Sequence, residues 1–88
     1  MKHDIAHEAL AYLLAQEEIR ERFLAETGMD LGTLRGRLAD PDCLGSVLDF
    51  LLENEPVLLA FCGEAGLKPE SIWKARRAYP GLNVWDSI

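Results

Sequence analysis

The chain carries an internal repeat that constrains how it can fold. Residues 47–72 align without a gap on residues 9–34 at an offset of 38 positions. The seven identical pairs are Leu10/Leu48, Leu13/Leu51, Leu14/Leu52, Glu17/Glu55, Phe23/Phe61, Glu26/Glu64 and Gly28/Gly66. Apolar residues at helical spacing followed by a glycine cap are typical of a helix–helix–turn–helix unit. The repeat therefore predicts two related three-helix units, at about 4–39 and 41–79.

Start and stop signals divide these units into helices. Three expected helices begin at or next to a proline, which suits the first helical turn because its amide is unpaired there. These prolines are Pro41, Pro56 and Pro69. The pair Pro80-Gly81 ends the last helix. We expect an all-α, compact six-helix bundle forming one domain over residues 1–81, followed by a C-terminal tail at 82–88.

Composition and charge narrow the class of protein. With 88 residues, 49% of them apolar, the chain is long enough for one packed core. The net charge is −6, and the acidic excess lies between Arg37 and Lys68, where no basic residue occurs. This balance disfavours a nucleic-acid partner and an anionic membrane. Without a signal-peptide pattern or the roughly 20 apolar residues that span a bilayer, we expect a cytoplasmic protein.

Residue patterns typical of enzymes and metal sites are absent from the sequence. It contains no phosphate-binding glycine loop, nucleophile elbow or zinc-protease motif. Cys43 and Cys62 lack metal-ligand spacing, and Cys62 lies mid-helix among apolar residues where a thiol is inert. His3 and His7 are spaced to share a metal, but no third ligand accompanies them. We expect no catalytic activity and no cofactor.

The two halves differ most in the second helix of each unit. Arg20, Glu21 and Arg22 correspond to Leu58, Leu59 and Ala60, so the fifth helix is apolar on nearly every side. One interpretation makes this helix the central one, surrounded by its neighbours. The other leaves an exposed apolar patch for a partner or a second copy of the chain.

Two segments resemble a DNA-binding helix-turn-helix, one from Phe23 to Arg35 and one from Phe61 to Ile72. Basic residues lie on both would-be recognition helices, at Arg35, Arg37, Lys74, Arg76 and Arg77. The position four before the turn glycine is usually small, whereas here it is Leu24 or Cys62. Because this departure from the motif adds to the acidic net charge of the chain, DNA binding is the alternative hypothesis and not the leading one.

The C-terminal tail is apolar and contains Trp85. Trp73 replaces Arg35 at the equivalent position of the first half, so the sixth helix gains an aromatic residue. In one interpretation the tail folds back and packs beside Trp73, since aromatic pairs bury well. In the other, the tail is a linear motif that docks on a partner.

Several segments together resemble a bacterial family. They are residues 23–28, 47–52, 58–62, 66–69 and 76–81, with the sequences FLAETG, VLDFLL, LLAFC, GLKP and RRAYPG. These segments resemble an uncharacterised alphaproteobacterial family, the domain of unknown function 3572. The resemblance implies a bacterial cytosolic protein with an all-helical fold. It implies no catalytic or binding residue.

The functional hypothesis from the sequence is a small regulatory or adaptor module that binds an unknown protein partner or forms a homodimer. The surface expected to carry this interaction consists of Leu58, Leu59, Trp73 and Trp85. Its basis is the loss of charge in the second half, on helix positions that are charged in the first.

Overall fold

The computed structural model describes residues 4–79, which contain six α-helices and no strand. The helices are α1 (Ile5–Ala15), α2 (Glu17–Thr27), α3 (Leu31–Arg35), α4 (Pro41–Glu53), α5 (Glu55–Ala65) and α6 (Pro69–Arg77). The predicted all-α class and six helices are confirmed. The predictions that concern His3, the tail and Trp85 lie outside the described residues.

Short polar side chains and two glycines set the helix ends. The carboxylate of Asp4 accepts a hydrogen bond from the amide of Ala6 at 3.1 Å and thereby caps α1. Asp30 and Asp40 cap α3 and α4 in the same way. Gly28 and Gly66 end α2 and α5 with φ of 76° and 72°, a left-handed conformation that disfavours residues with a Cβ.

Helix α4 is the centre of the fold. It packs against α1, α2, α5 and α6, and seven of its residues are buried. They are Cys43, Leu44, Gly45, Val47, Leu48, Phe50 and Leu51. This corrects the interpretation that placed the fifth helix in the centre. Helix α5 is peripheral: one side of it, including Leu58 and Phe61, enters the core, while Leu59 and Ala60 are exposed.

One charged side chain, Arg76, lies inside the core with only 3% of its surface exposed. Its Nε and Nη2 donate to the two carboxylate oxygens of Asp49 at 2.7 and 3.1 Å, and its Nη1 donates to the carbonyl of Tyr79 at 3.1 Å. This fork-shaped pairing satisfies a guanidinium that would otherwise be costly to bury. It joins the last turn of α6 to the middle of α4.

The helix ranges keep the 38-residue offset seen in the sequence. Helix α2 maps onto α5 at both ends, and α1 and α4 end at equivalent positions. Aromatic rings of the two halves pair with each other. The ring centroids of Tyr12 and Phe61 are 5.4 Å apart, and those of their counterparts, Phe50 and Phe23, are 5.5 Å apart. Such an exchange of partners is the arrangement expected of a two-fold relation. That the halves are duplicated units stays a prediction.

Two mid-helix glycines provide a test of the packing around Arg76. A Cβ on Gly45 would lie 3.2 Å from the guanidinium carbon of Arg76, whereas a Cβ on Gly63 meets nothing within 4 Å. We expect Gly63→Ala to stabilise the protein by about 0.5–1 kcal/mol through helix propensity. Gly45→Ala is expected to lose this gain and destabilise the protein, because Asp49 and the Tyr79 carbonyl hold Arg76 in place.

Urea unfolding followed by circular dichroism measures both variants on the same scale. Equal stabilisation by the two substitutions would show that Arg76 moves freely away from α4, contrary to the packing described.

Candidate protein-binding surfaces

Three large apolar side chains are exposed among the described residues: Leu38, Leu59 and Trp73. Leu59 is 51% exposed and Trp73 is 44% exposed, while Leu58 is only 8% exposed and belongs to the core. The sequence placed Leu58 and Leu59 on one apolar surface, and the structure separates them. At the equivalent positions of the first half, Glu21 and Arg35 are also exposed.

A groove lies between α1 and α5 and has a volume of about 380 Å³. The rings of Tyr12 and Phe61 form its base. The remaining lining residues are Glu8, Ala11, Ala15, Gln16, Glu64 and Ala65. Because the alanine side chains are short, they leave the groove open above the aromatic rings. We call this the α1/α5 groove.

A second groove lies at the equivalent place of the other half, between α2 and α4. It is lined by Glu26, Thr27, Ser46, Asp49, Phe50 and Glu53, and each of these residues is 38 positions from a lining residue of the α1/α5 groove. Its volume is only about 140 Å³. Asp49 and Glu53 stand where the α1/α5 groove has Ala11 and Ala15, so longer acidic side chains occupy this α2/α4 groove.

A third cleft, about 620 Å³ in volume, lies between the start of α1 and α6 and is wide open. It is lined by Asp4, Ile5, Ser71, Lys74, Ala75, Ala78 and Tyr79. The Tyr79 hydroxyl donates to Asp4 Oδ1 at 3.2 Å. Partial burial, together with this neighbouring carboxylate, raises the pKa of Tyr79. The hydroxyl lines the cleft as a hydrogen-bond donor to Asp4.

The five basic residues of the alternative hypothesis do not share one environment. Arg35, Lys74 and Arg77 are exposed. Arg37 is engaged by Asp40, at 2.9 Å from Nε and 2.8 Å from Nη2. Arg76 is buried against Asp49, which removes it from any surface that meets DNA. Helix α3, the would-be recognition helix of the first copy, has only five residues.

The thiols are buried, and the histidine pairs with a carboxylate. Cys43 and Cys62 are buried, and burial raises the pKa of each thiol. Within residues 4–79 no three side chains of the metal-ligating types are grouped closely enough to hold an ion. His7 Nδ1 lies 2.6 Å from Asp4 Oδ2, which fixes the imidazole beside the cap of α1.

The fold and its surfaces define a small all-α protein with one core and open interhelical grooves. A sequence profile described as protein of unknown function (DUF3572) matches residues 2–82. The chain belongs to this DUF3572 family. No curated protein and no solved structure matches it. None of the helices between residues 4 and 79 is long and apolar enough to cross a bilayer.

Reasoning from the sequence missed the α1/α5 groove. The repeat contained the signal, since Ala11 and Ala15 align with Asp49 and Glu53 and lack their carboxylates. Three of the predicted interaction residues can be placed: Leu59 and Trp73 on the surface, and Leu58 in the core.

Burial of both cysteines leads to a direct chemical test. We expect the native thiols to react with a disulfide reagent such as DTNB at least 100-fold more slowly at neutral pH than the thiols of the urea-unfolded chain, because burial hinders access and disfavours the thiolate. The rate is followed by absorbance under both conditions. A native rate close to the unfolded one would indicate an accessible, activated thiol and would reopen the question of catalysis.

Proposed function

We propose that this protein is a small protein-binding module with a regulatory or adaptor role. The observation that carries the proposal is the exposure of Leu59 and Trp73 at positions whose counterparts in the first half are charged. On the resemblance described above, we further propose that it works in the cytoplasm of an alphaproteobacterium.

The stability of the isolated fold does not account for these two residues. Full burial of a large apolar side chain contributes about 1.5–3 kcal/mol, and a half-exposed side chain forgoes a substantial part of that. Glu21 and Arg35 occupy the equivalent exposed helix positions with charged side chains. A partner that covers Leu59 and Trp73 recovers the burial that folding leaves unused. Tryptophan is also among the residues that contribute most to protein interfaces.

The charges of the protein support a protein partner over DNA. Asp49 and Asp40 engage Arg76 and Arg37, which leaves three of the five basic residues of the alternative hypothesis exposed. A net charge of −6 opposes the approach of a polyanion. No enzymatic activity forms part of the proposal.

The proposal predicts the effect of giving the second half the residues of the first. We expect the variant Leu59→Glu/Trp73→Arg to keep the helical circular dichroism and a melting temperature within about 5 °C of the wild type, because surface substitutions rarely change stability by much. The same variant is expected to lose the proteins that the wild type captures from a bacterial lysate.

A matched control is Ala25→Glu, which adds charge to an exposed position of α2 without removing a large apolar side chain. It should capture the same proteins as the wild type. If the double variant also captures them, Leu59 and Trp73 do not form the binding surface and the proposal fails.

The DNA alternative has its own test. We expect no change in the fluorescence anisotropy of a labelled mixed-sequence duplex with this protein in the micromolar range, even at low salt where electrostatic binding is strongest. Tight binding at low salt that weakens steeply as salt rises would favour DNA binding instead. Its loss in Lys74→Ala/Arg77→Ala would then assign it to α6.

A further inference from the structure

The α1/α5 groove combines an aromatic base with an acidic rim. Tyr12 and Phe61 lie at the base, and Glu8 and Glu64 are among the lining residues. Tyrosine rings and carboxylates both attract ammonium and guanidinium groups. The groove volume of about 380 Å³ falls within the range of roughly 300–1,000 Å³ typical of binding pockets, whereas the α2/α4 groove, at about 140 Å³, does not.

Helix α6 presents side chains of the complementary chemistry. Trp73 and Arg77 are four residues apart and therefore lie on one face of the helix, with Lys74 beside them. All three side chains are exposed. The preceding turn of this face carries Glu70, so the basic character increases towards the C-terminal end of α6.

We propose that the α1/α5 groove binds the Trp73 face of α6 from a second copy of this chain. In this arrangement Trp73 lies between the alanines and meets the rings of Tyr12 and Phe61. Arg77 then meets the carboxylate of Glu64, with Lys74 beside it. The inference rests on the proposed function and names its partner: the surface around Trp73 binds another copy.

Reciprocal pairing of two copies suits the position of these elements. Helix α6 packs against both α1 and α5, the two helices that form the groove, so the inserted face and the receiving groove are neighbours in the fold. In a two-fold dimer the α6 face of each copy contacts the α1/α5 groove of the other copy, so the same contact forms twice. The smaller α2/α4 groove is excluded because Asp49 and Glu53 fill it and Asp49 is engaged by Arg76.

Analytical ultracentrifugation of charge-swapped variants tests the pairing. The wild type is expected to sediment as a dimer of the 9.8 kDa chain at high protein concentration and to dissociate as salt is raised. Glu64→Arg and Arg77→Glu should each weaken the dimer at least tenfold, because each places like charges opposite one another. The double variant Glu64→Arg/Arg77→Glu, which has the wild-type net charge, should recover most of the affinity.

The α2/α4 groove supplies the matched control. Glu26 is the counterpart of Glu64 and is likewise exposed, so Glu26→Arg/Arg77→Glu has the same net charge as the rescuing pair. We expect no recovery in this control. Equal recovery would mean that net charge alone governs association, and the pairing would be wrong.

A second measurement follows Trp73 itself. The chain has two tryptophans, so Trp85→Phe leaves Trp73 as the sole indole emitter. Its emission should shift to shorter wavelength as the protein concentration rises, and Glu64→Arg should abolish the shift. A wild type that stays monomeric at high concentration and low salt, with unchanged Trp73 emission, overturns the inference. The proposed function fails separately, when the Leu59→Glu/Trp73→Arg variant still captures the lysate proteins.

Discussion

Burial of α4 is the constraint on which the rest of the structure depends. A chain of 88 residues has one core, and this helix occupies its centre, so α1, α2, α5 and α6 all pack against it. Seven of its 13 residues are buried, and Gly45 among them leaves space for the guanidinium of Arg76. Asp49, which is also on α4, pairs with Arg76 of α6. This pairing satisfies the buried guanidinium and positions α6.

Comparison of corresponding positions in the two halves identifies the surface residues that folding does not explain. The ring pairs Tyr12–Phe61 and Phe23–Phe50 are related by the offset of 38 residues. By the same offset, each of the six residues that line the α2/α4 groove corresponds to a residue that lines the α1/α5 groove. Equivalent positions that are exposed in both halves serve as internal references for one another. Where one position is charged and its exposed counterpart is apolar, folding alone does not account for the difference. Leu59, Trp73 and Ala15 of the α1/α5 groove are such positions.

Acidic and apolar surface together are the basis of the proposed interaction with proteins. Membership of the DUF3572 family locates the chain among related sequences but assigns no activity to any residue. Both thiols are buried, and His7 is hydrogen-bonded to Asp4 at the start of α1. What remains distinctive is a half-exposed tryptophan on a basic helix and an open groove with an acidic rim.

The sequence by itself determined the helices, because their ends depend on local chemistry: Asp4 and Asp40 cap α1 and α4, and Gly28 ends α2 in a left-handed conformation. It also showed that Leu59 and Trp73 replace charged residues of the first half, but it left open whether they are exposed. Only the tertiary structure decided that α4 rather than α5 is central, that Leu58 is core, and that Arg76 is internal. The physical reason is that the sequence of an apolar helix or the identity of a basic side chain is the same whether it is buried or exposed. Its burial is determined by neighbours that are distant in the chain. The α1/α5 groove likewise exists because the fold brings residues of two helices far apart in the sequence to one surface.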